Sequence, residues 1–484
     1  MSQPVTIFLE PAGDAPVYLQ IARAVAGEIR RGRFKPGDPL PGYRKLAEQL
    51  GVSRNTVMAA FSELQAEGWV LSTPGVGSSV APAPPDRAAA GAAPAPAAEA
   101  IGFDLAGAAP QLSPPSPGNL LRVASGIPDP RLIPGAELAR AYRRALTSRP
   151  QAALTVEDPQ GHPALREALA RLLSATRGMA ASADRVLVAR SVQMAWFLTA
   201  RALIRPGDAV AVEALGARGA WEALAGAGAS CLALPVDREG LDVEALARLL
   251  AARPIRAVLL APRRHYPTLV PLSAPRRARL LELARAHRVA VLEADLDAEF
   301  QFEGRPAAPL AAGDVAGVVI HVGALSKIFA AGMRLGYVHG PAPLVARLRE
   351  ARAVLDQQGD PVLERAMAEM LEDGEIERHL NLMHRVYRRR RDALVAALRR
   401  ELGQAASVAT PEGGLALWVE AAPGVDVDAW AARALEGGVA VQPGRQFSFD
   451  GSAVPGFRIG FANYAEPDLE EVARRLRVAL EAAA

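Results

Sequence analysis

A chain of 484 residues exceeds what one ordinary hydrophobic core organises, so two or three domains are expected, and an apolar share of 50% is ample to fill them. The single cysteine, Cys231, excludes a disulfide framework and a cysteine-rich zinc site, and no apolar run reaches about 18 residues free of charge. A formal net charge of +3 is a weak field on a chain this long, so any argument for nucleic acid must be local.

The N-terminal MSQPVTIFLEPAGD lacks the basic region and apolar core of a signal peptide, and a cytoplasmic protein with no membrane partner is the expectation. Val17, Ile21, Val25 and Ile29 recur at every fourth residue and predict an amphipathic helix from about Pro16 to Arg31, stopped by Gly32. After the turn-rich KPGDPLPG, Tyr43 to Leu50 has the length of a short helix closed by Gly51, and Ser53 can cap a third helix through SRNTVMAAFSELQAEGW. Helix, tight turn, helix is the arrangement whose second member enters the major groove of DNA. Its first residues, here Arg54, Asn55 and Thr56, then face the bases. Arg44 and Lys45 open the preceding helix and suit backbone phosphates. WVLS and SSVA on either side of Thr73 to Gly77 read as a hairpin wing.

From Leu40 to Ala60, LPGYRKLAEQLGVSRNTVMAA closely resembles the winged-helix head of the GntR family of bacterial transcription regulators. The resemblance implies DNA contacts by Arg44, Arg54, Asn55 and Thr56, with a wing around Gly75 and Gly77 reaching the adjacent minor groove. Gly42 stands where that family usually has a serine, which removes one cap or phosphate contact.

The stretch that follows, APAPPDRAAAGAAPAPAAEA, has no periodicity and too little to bury to offset the entropy of folding. It gives an expected division into a head at 11–80, an Ala/Pro-rich tether at 81–118, a large domain at 119–349 and a small domain at 350–484. Beyond the tether, VLVA at 186–189, AVAVE at 209–213, RAVLLA at 256–261, VAVLE at 289–293 and GVVIHV at 317–322 alternate with helix-length segments. That pattern predicts an α/β layer structure with a mainly parallel sheet. After about residue 350, long helices and then GLALWVEA, GVAVQP and GFRIGFAN predict a smaller α+β domain.

Ligands in such sheets sit at the carboxyl ends of strands, where Lys327, the ARSVQ turn (Ala189 to Gln193) and the loop after Glu293 are expected to converge. Val318 to Val338 reads as a strand, a small-residue turn presenting Ser326 and Lys327, and a returning strand just beyond Arg334. A lysine there can form a Schiff base when burial lowers its pKa, and a serine and an arginine beside it suit a phosphate. Taken alone, such a lysine is a solvated charge.

SGIPDPRLIP, EDPQGHPALREALARLL, HYPT, GALSKIFAAGMRLGYV and FRIGFA resemble fold-type-I aminotransferases, and the order of head and body resembles the MocR subfamily of GntR regulators. The resemblance implies that Lys327 carries pyridoxal 5'-phosphate. Ser326, Arg334 and the helix start at Ser191, Val192 and Gln193 would hold its phosphate, and Arg458 would take an effector carboxylate. It further implies a homodimer that senses the coenzyme or its amino-acid adduct, binds an operator in double-stranded DNA, and does not release a transamination product.

Several positions depart from that pattern. EADLDAEF replaces EDDYDSEF, so Ala294 falls where a carboxylate should meet the pyridine nitrogen and Leu296 where a tyrosine should meet the ring oxygen. Alternation sends the neighbouring Asp295 to the opposite face. Arg264 takes the place of a ring-stacking histidine, His265 of a glutamine, Leu269 of a glycine, and Ala217 of an aromatic. Four readings of the body follow. It is a coenzyme sensor with little catalysis, a pocket turned to another anionic ligand through Arg263, Arg264, His265, Arg334 and Arg458, an unliganded dimerisation platform, or an active aminotransferase. Against the effector roles stand structural ion pairs for Arg334 and Arg458 and a hydrogen-bonded core position for His265. Asp295, Asp297 and Glu299 alternate without companion ligands, and no metal is expected.

Overall fold

The computed structural model describes residues 15–73, 77–85, 120–124, 126–148, 150–153, 155, 158–329 and 331–483. Contacts divide the chain into two units, Met1–Ser113 and Pro114–Ala484. Beyond residue 85 the expected tether lies outside the described residues, as does Gly75 at the tip of the expected wing.

In the first unit, helices α1 (Val17–Arg30), α2 (Tyr43–Leu50) and α3 (Arg54–Ala66) precede a hairpin of β1 (Val70–Thr73) and β2 (Gly77–Val80). Ile21, Val25 and Ile29 bury against Leu46, Val57, Phe61 and Leu64. Val17, the first residue of the predicted stripe, is exposed, because the first turn of α1 runs past so small a core. Gly51 ends α2 at φ 66, a left-handed conformation that favours glycine. Ser53 Oγ then accepts from Thr56 N at 3.1 Å, which fixes the start of α3 at the next residue, Arg54. Val70 pairs with Val80 across the hairpin, and Tyr43 Oη lies 3.0 Å from Ser78 Oγ, tying the wing to α2.

The second unit is built on a seven-stranded sheet. In chain order its strands are β3 (Val186–Ala189), β4 (Ala209–Glu213), β5 (Ser230–Leu234), β6 (Ala257–Leu260), β7 (Ala290–Asp295), β8 (Val319–Ala324) and β9 (Gly336–His339). They lie in the order β3-β9-β8-β7-β6-β4-β5, with β9 antiparallel to both neighbours and the other pairs parallel. Every residue of β3, β4, β6, β8 and β9 is buried. Strands covered on both faces need continuous apolar runs instead of alternation, and these segments have them. Helices α4 (Pro163–Arg177) and α5 (Val192–Leu203) flank β3 in sequence. Cys231, on the edge strand β5, is half-buried.

A four-stranded antiparallel layer follows, in the order Ala406–Val408, Ala416–Ala421, Gly456–Gly460, Gln442–Pro443. Its core gathers Tyr387, Leu394 and Leu398 of the helix Glu375–Leu402, Trp430, and Leu469, Val472 and Leu476 of the helix Glu466–Glu481. Leu121–Arg122 pairs with Val439–Ala440 as a short parallel strand, and Val123 enters this same core. The expected division at 349–350 falls inside the helix Ala342–Leu355. The next helix, Pro361–Glu372, packs Leu363, Ala366 and Met367 against Leu165, Val186 and Tyr337 beside the large sheet. No helix of the described residues is long and apolar enough to cross a membrane.

Candidate functional site

Two surfaces gather the residues singled out in the sequence, one on each unit. On the first, Arg54 and Asn55 are exposed in the opening turn of α3, and Arg44 and Lys45 are exposed in the opening turn of α2. Among the described residues none of these cations forms an ion pair with a carboxylate. Thr56 is half-buried and its hydroxyl lies 2.8 Å from Ser53 Oγ, so part of its bonding capacity serves the helix cap. Gly77 is exposed at φ 119, where the hairpin returns. Gly42, at the N-cap of α2, supplies no side-chain cap.

On the second unit, β8 and β9 run antiparallel, and the turn between them carries Ser326, Lys327 and Arg334. The turn closes on itself: Ser326 Oγ donates to Leu335 O at 2.8 Å and accepts from Leu335 N at 3.2 Å. The serine expected at a phosphate is thus committed to holding the turn. Arg334 is exposed at φ 54, in the left-handed region that a residue with a Cβ seldom adopts. The turn meets the start of α5 at Gly336. A Cβ there would lie 2.8 Å from Val192 N and 2.9 Å from Ser191 C, so only glycine allows this approach.

At that helix start, Ser191 Oγ accepts from Met194 N at 3.0 Å and Gln193 Nε2 donates to Gly219 O at 2.6 Å. Both side chains expected at a phosphate are therefore engaged in closing the helix onto its neighbours. What remains for an anion is the amide-rich first turn of a twelve-residue helix, with Val192 at its head.

The end of β7 carries the position at which the sequence pattern expects an acid for the ring. Ala294 pairs with Val322 and packs with the apolar cluster that includes Val192 and Met194. Asp295 turns the other way, as alternation requires. Its Oδ2 accepts from Arg263 Nη1 at 2.8 Å and from Arg177 Nη1 at 3.2 Å. Arg177 also reaches Tyr337 Oη at 2.8 Å and Glu299. Burial alone would raise the Asp295 carboxyl, but Arg177, Arg263 and His321 outweigh it and hold it down at about 2. Glu293, further inside, accepts from Leu310 N at 2.6 Å and lies 3.0 Å from His321 Nδ1. The acids of this strand are consumed beneath the sheet, and none stands at the Ala294 position.

An acid that the sequence reading weighed only within an alternating acidic set takes a central place instead. Asp297, two residues beyond β7, and the half-buried Lys327 are each other's strongest charge partners. Burial pushes the Lys327 amine below its ordinary value; Asp297 opposes that shift, while Arg458 and Arg264 add to it. Burial likewise works to raise the Asp297 carboxyl, and Lys327, Arg264 and Arg458 together lower it. Its signal in the sequence was position alone, just past the carboxyl end of a central strand.

The three residues expected to bind an effector part company. Arg264 is a brace: Nη1 donates to Asp297 O at 2.6 Å, and Nη2 to Phe300 O at 3.0 Å and Gln301 Oε1 at 2.5 Å. His265 is buried, with Nε2 donating to Leu215 O at 2.9 Å and Nδ1 2.7 Å from Thr268 Oγ1. Burial lowers its pKa to about 4, so it is neutral near pH 7 and cannot act as the cation of an anion site. Beside it, burial raises the Glu213 carboxyl to about 8, although Ala261 N donates to it at 2.9 Å. Arg458 stands apart from these two. It is buried, its guanidinium lies 4.8 Å above the Tyr266 ring, and its Nε finds no hydrogen-bond partner among the described residues.

The five-residue anionic set of the sequence reading therefore converges only in part, Arg264 and Arg458 sharing Lys327 and Asp297. Arg263 and Arg264 also line a cleft of about 710 Å³, with Arg238, Arg305, Leu269 and Trp418. Arg458 belongs with Lys327 and Asp297, His265 is core, and Arg334 is exposed on its turn.

For pyridoxal 5'-phosphate the fit is divided. A primary amine of lowered pKa, a helix start against its turn and an exposed arginine suit the aldehyde and phosphate ends. Ala294, Leu296 and Ala217 supply neither the acid, the hydroxyl nor the ring that the pyridine would meet.

Comparison with known proteins accounts for both units. Residues 130–476 match the family model for aminotransferase class I and II, and residues 17–80 match that for bacterial regulatory proteins of the gntR family. The probable rhizopine catabolism regulatory protein MocR of Rhizobium meliloti is 30% identical over 482 residues, covering 98% of this chain and 95% of that protein. The HTH-type transcriptional regulator TauR of Rhodobacter capsulatus is 32% identical, covering 92% of this chain and 93% of its own. Among solved structures, LysN of Thermus thermophilus, an alpha-aminoadipate aminotransferase complexed with N-(5'-phosphopyridoxyl)-L-leucine, superposes with a TM-score of 0.70 at 28% identity. That match covers 76% of this chain and 93% of the other.

Proposed function

Because this chain belongs to the MocR-type regulators of the gntR family, a winged head fused to an aminotransferase class I and II body, we propose that it regulates transcription by binding operator DNA with the head while the body senses a small molecule. The observation that carries the DNA reading is the capped, exposed opening turn of α3, where Arg54 and Asn55 stand clear of every carboxylate among the described residues. Arg44, Lys45 and Gly77 take backbone contacts in this reading, and Thr56 combines the cap with a base-side contact.

Sensing, not turnover, is favoured by the body. Lys327, the backbone at Val192 and Gln193, and the side chain of Arg334 would hold pyridoxal 5'-phosphate by its aldehyde and phosphate ends. When bound, that group supplies an electron-withdrawing ring whose strength depends on a protonated nitrogen. With Ala294 in place of an acid and Asp295 spent on Arg177 and Arg263, this chain does nothing to hold that proton. Arg458 over Tyr266 would orient a ligand carboxylate, and Asp297 would compete with it for the charge of Lys327. A second reading, a different anionic ligand, draws on Asp297, because an internal counter-ion to Lys327 leaves less need for a coenzyme there.

The working form is a cytoplasmic homodimer in which residues 81–118 tether two heads to a paired body. Three measurements test the reading. Operator affinity should change on adding the effector, and footprints that stay the same across a broad ligand screen would remove the sensing role. Added pyridoxal 5'-phosphate should give a new absorbance band that Lys327→Ala abolishes. No band from a folded protein moves the assignment to the other anionic ligand. Steady conversion of amino acid and keto acid, lost in Lys327→Ala, would instead make the chain an enzyme.

A further inference from the structure

The exposed face of α3 carries one side chain that neither packing nor phosphate contacts explain. Counting roughly 100° per residue, Val57, Ala60, Phe61 and Leu64 share the buried side, while Arg54, Asn55, Met58, Ala59 and Ser62 share an arc of about 140° opposite. Met58 falls within that arc, between the projections of Arg54 and Asn55 and one turn further along. It is 42% exposed, and among the described residues it is the one large apolar side chain left exposed on α3. A lone exposed hydrophobe is ordinarily unremarkable. This one, however, lies one turn from Arg54, and in the same unit the exposed Arg44 and Lys45 of α2 are likewise without an ion pair among the described residues, the charge complement of a duplex.

We propose that Met58 reads the C5 methyl group of a thymine in the major groove, flanked by Arg54 on a guanine and Asn55 on an adenine. The inference rests on the DNA-binding role of the head. Thymine is the one base that shows a methyl group in the major groove, guanine pairs O6 and N7 with an arginine fork, and adenine pairs N6 and N7 with an asparagine amide. The flexible thioether of methionine follows an apolar surface without demanding a hydrogen bond. The operator half-site therefore couples a guanine to neighbouring A·T pairs, with the thymine fixed by its methyl group.

Deoxyuridine in place of thymine removes that methyl and leaves every hydrogen-bonding atom. Full-length protein selects its preferred duplex from a random pool, and each thymine is then replaced in turn. One thymine in each half-site should lose about fourfold in affinity on replacement. Met58→Gln, of similar length and helix propensity, should show no such loss at that position while still depending on Arg54. Wild-type indifference to deoxyuridine at every thymine overturns the role of Met58, as does an equal loss in Met58→Gln. If a duplex is selected and bound through Arg54 without methyl dependence, only this inference falls; if no duplex is selected, the DNA-binding role falls with it.

Discussion

Moving one residue along β7 turns a side chain from one face of the sheet to the other, so the acid at Asp295 cannot stand in for one at Ala294. The structure uses that acid beneath the sheet, where Arg177 and Arg263 hold it. Ala294→Asp is then expected to place a carboxylate on the pocket side. A charged hydrogen bond there should raise affinity for pyridoxal 5'-phosphate on the order of tenfold, read by absorbance titration. Unchanged affinity would mean that position 294 does not face the ring. Glu213 gives a pH prediction at the same scale. Its folded carboxyl lies at about 8 against an ordinary value of 4.5. The folded state therefore binds the extra proton between these values, and this contribution to stability is full at low pH and lost as pH rises toward 8. Glu213→Gln keeps an acceptor for Ala261 N and removes the titration. Its melting temperature should fall less than that of the wild type between about pH 5 and 8, as scanning calorimetry would show. Parallel curves for the two proteins would place the buried proton elsewhere.

At the scale of elements, the central strands β3, β4, β6 and β8 were legible because both their faces are covered and each is a nearly continuous apolar run, whereas the edge strand β5 is largely open to solvent. The helices of the head were legible because caps and stops, Ser53 and Gly51, bracket them. The short strand Leu121–Arg122 was not, since two residues carry no period and its partner lies more than three hundred positions away. Site side chains divided along the same line. Lys327 and Arg458 both act on Asp297, whereas Ser191, Gln193, Ser326, Arg264 and His265 carry functional groups already spent on Met194, Gly219, Leu335, Phe300 and Leu215. Those partners are set by tertiary packing, which local sequence does not record. Gly336 is where two elements are brought to touch. Gly336→Ala would drive a methyl group into the backbone of Ser191 and Val192, so strand and helix must separate. A loss of about 1–3 kcal/mol is expected, together with weaker binding of any phosphate at α5. Thermal unfolding and phosphate-ligand titration measure the two, and wild-type behaviour in both would remove the helix start from the site.

At the scale of the whole molecule, a net charge of +3 spread over 484 residues gives little general attraction to a polyanion, so affinity for DNA must be concentrated in the head. Each phosphate neutralised there contributes about 0.9 to the slope of log affinity against log salt. Lys45→Ala in a dimer should therefore flatten that slope by about 2 while leaving the preferred sequence unchanged. A single small head with few such contacts binds weakly, and the proposed homodimer would answer this by pairing two of them. In that proposed homodimer, once one head is seated the tether would present the second at high effective concentration, multiplying affinity by about 10²–10⁴ when both half-sites are within reach. A protease site placed in the Ala/Pro-rich stretch between residues 86 and 118 separates that linkage from the chemistry of the heads. Cleavage should leave each head its base preference and its salt slope per head, yet cost the operator complex most of that gain and abolish any response to the effector. Gel-shift titrations before and after cleavage measure all three. Operator affinity that survives cleavage would show that the heads pair by themselves, and the body would then lose its place as the part that sets their spacing.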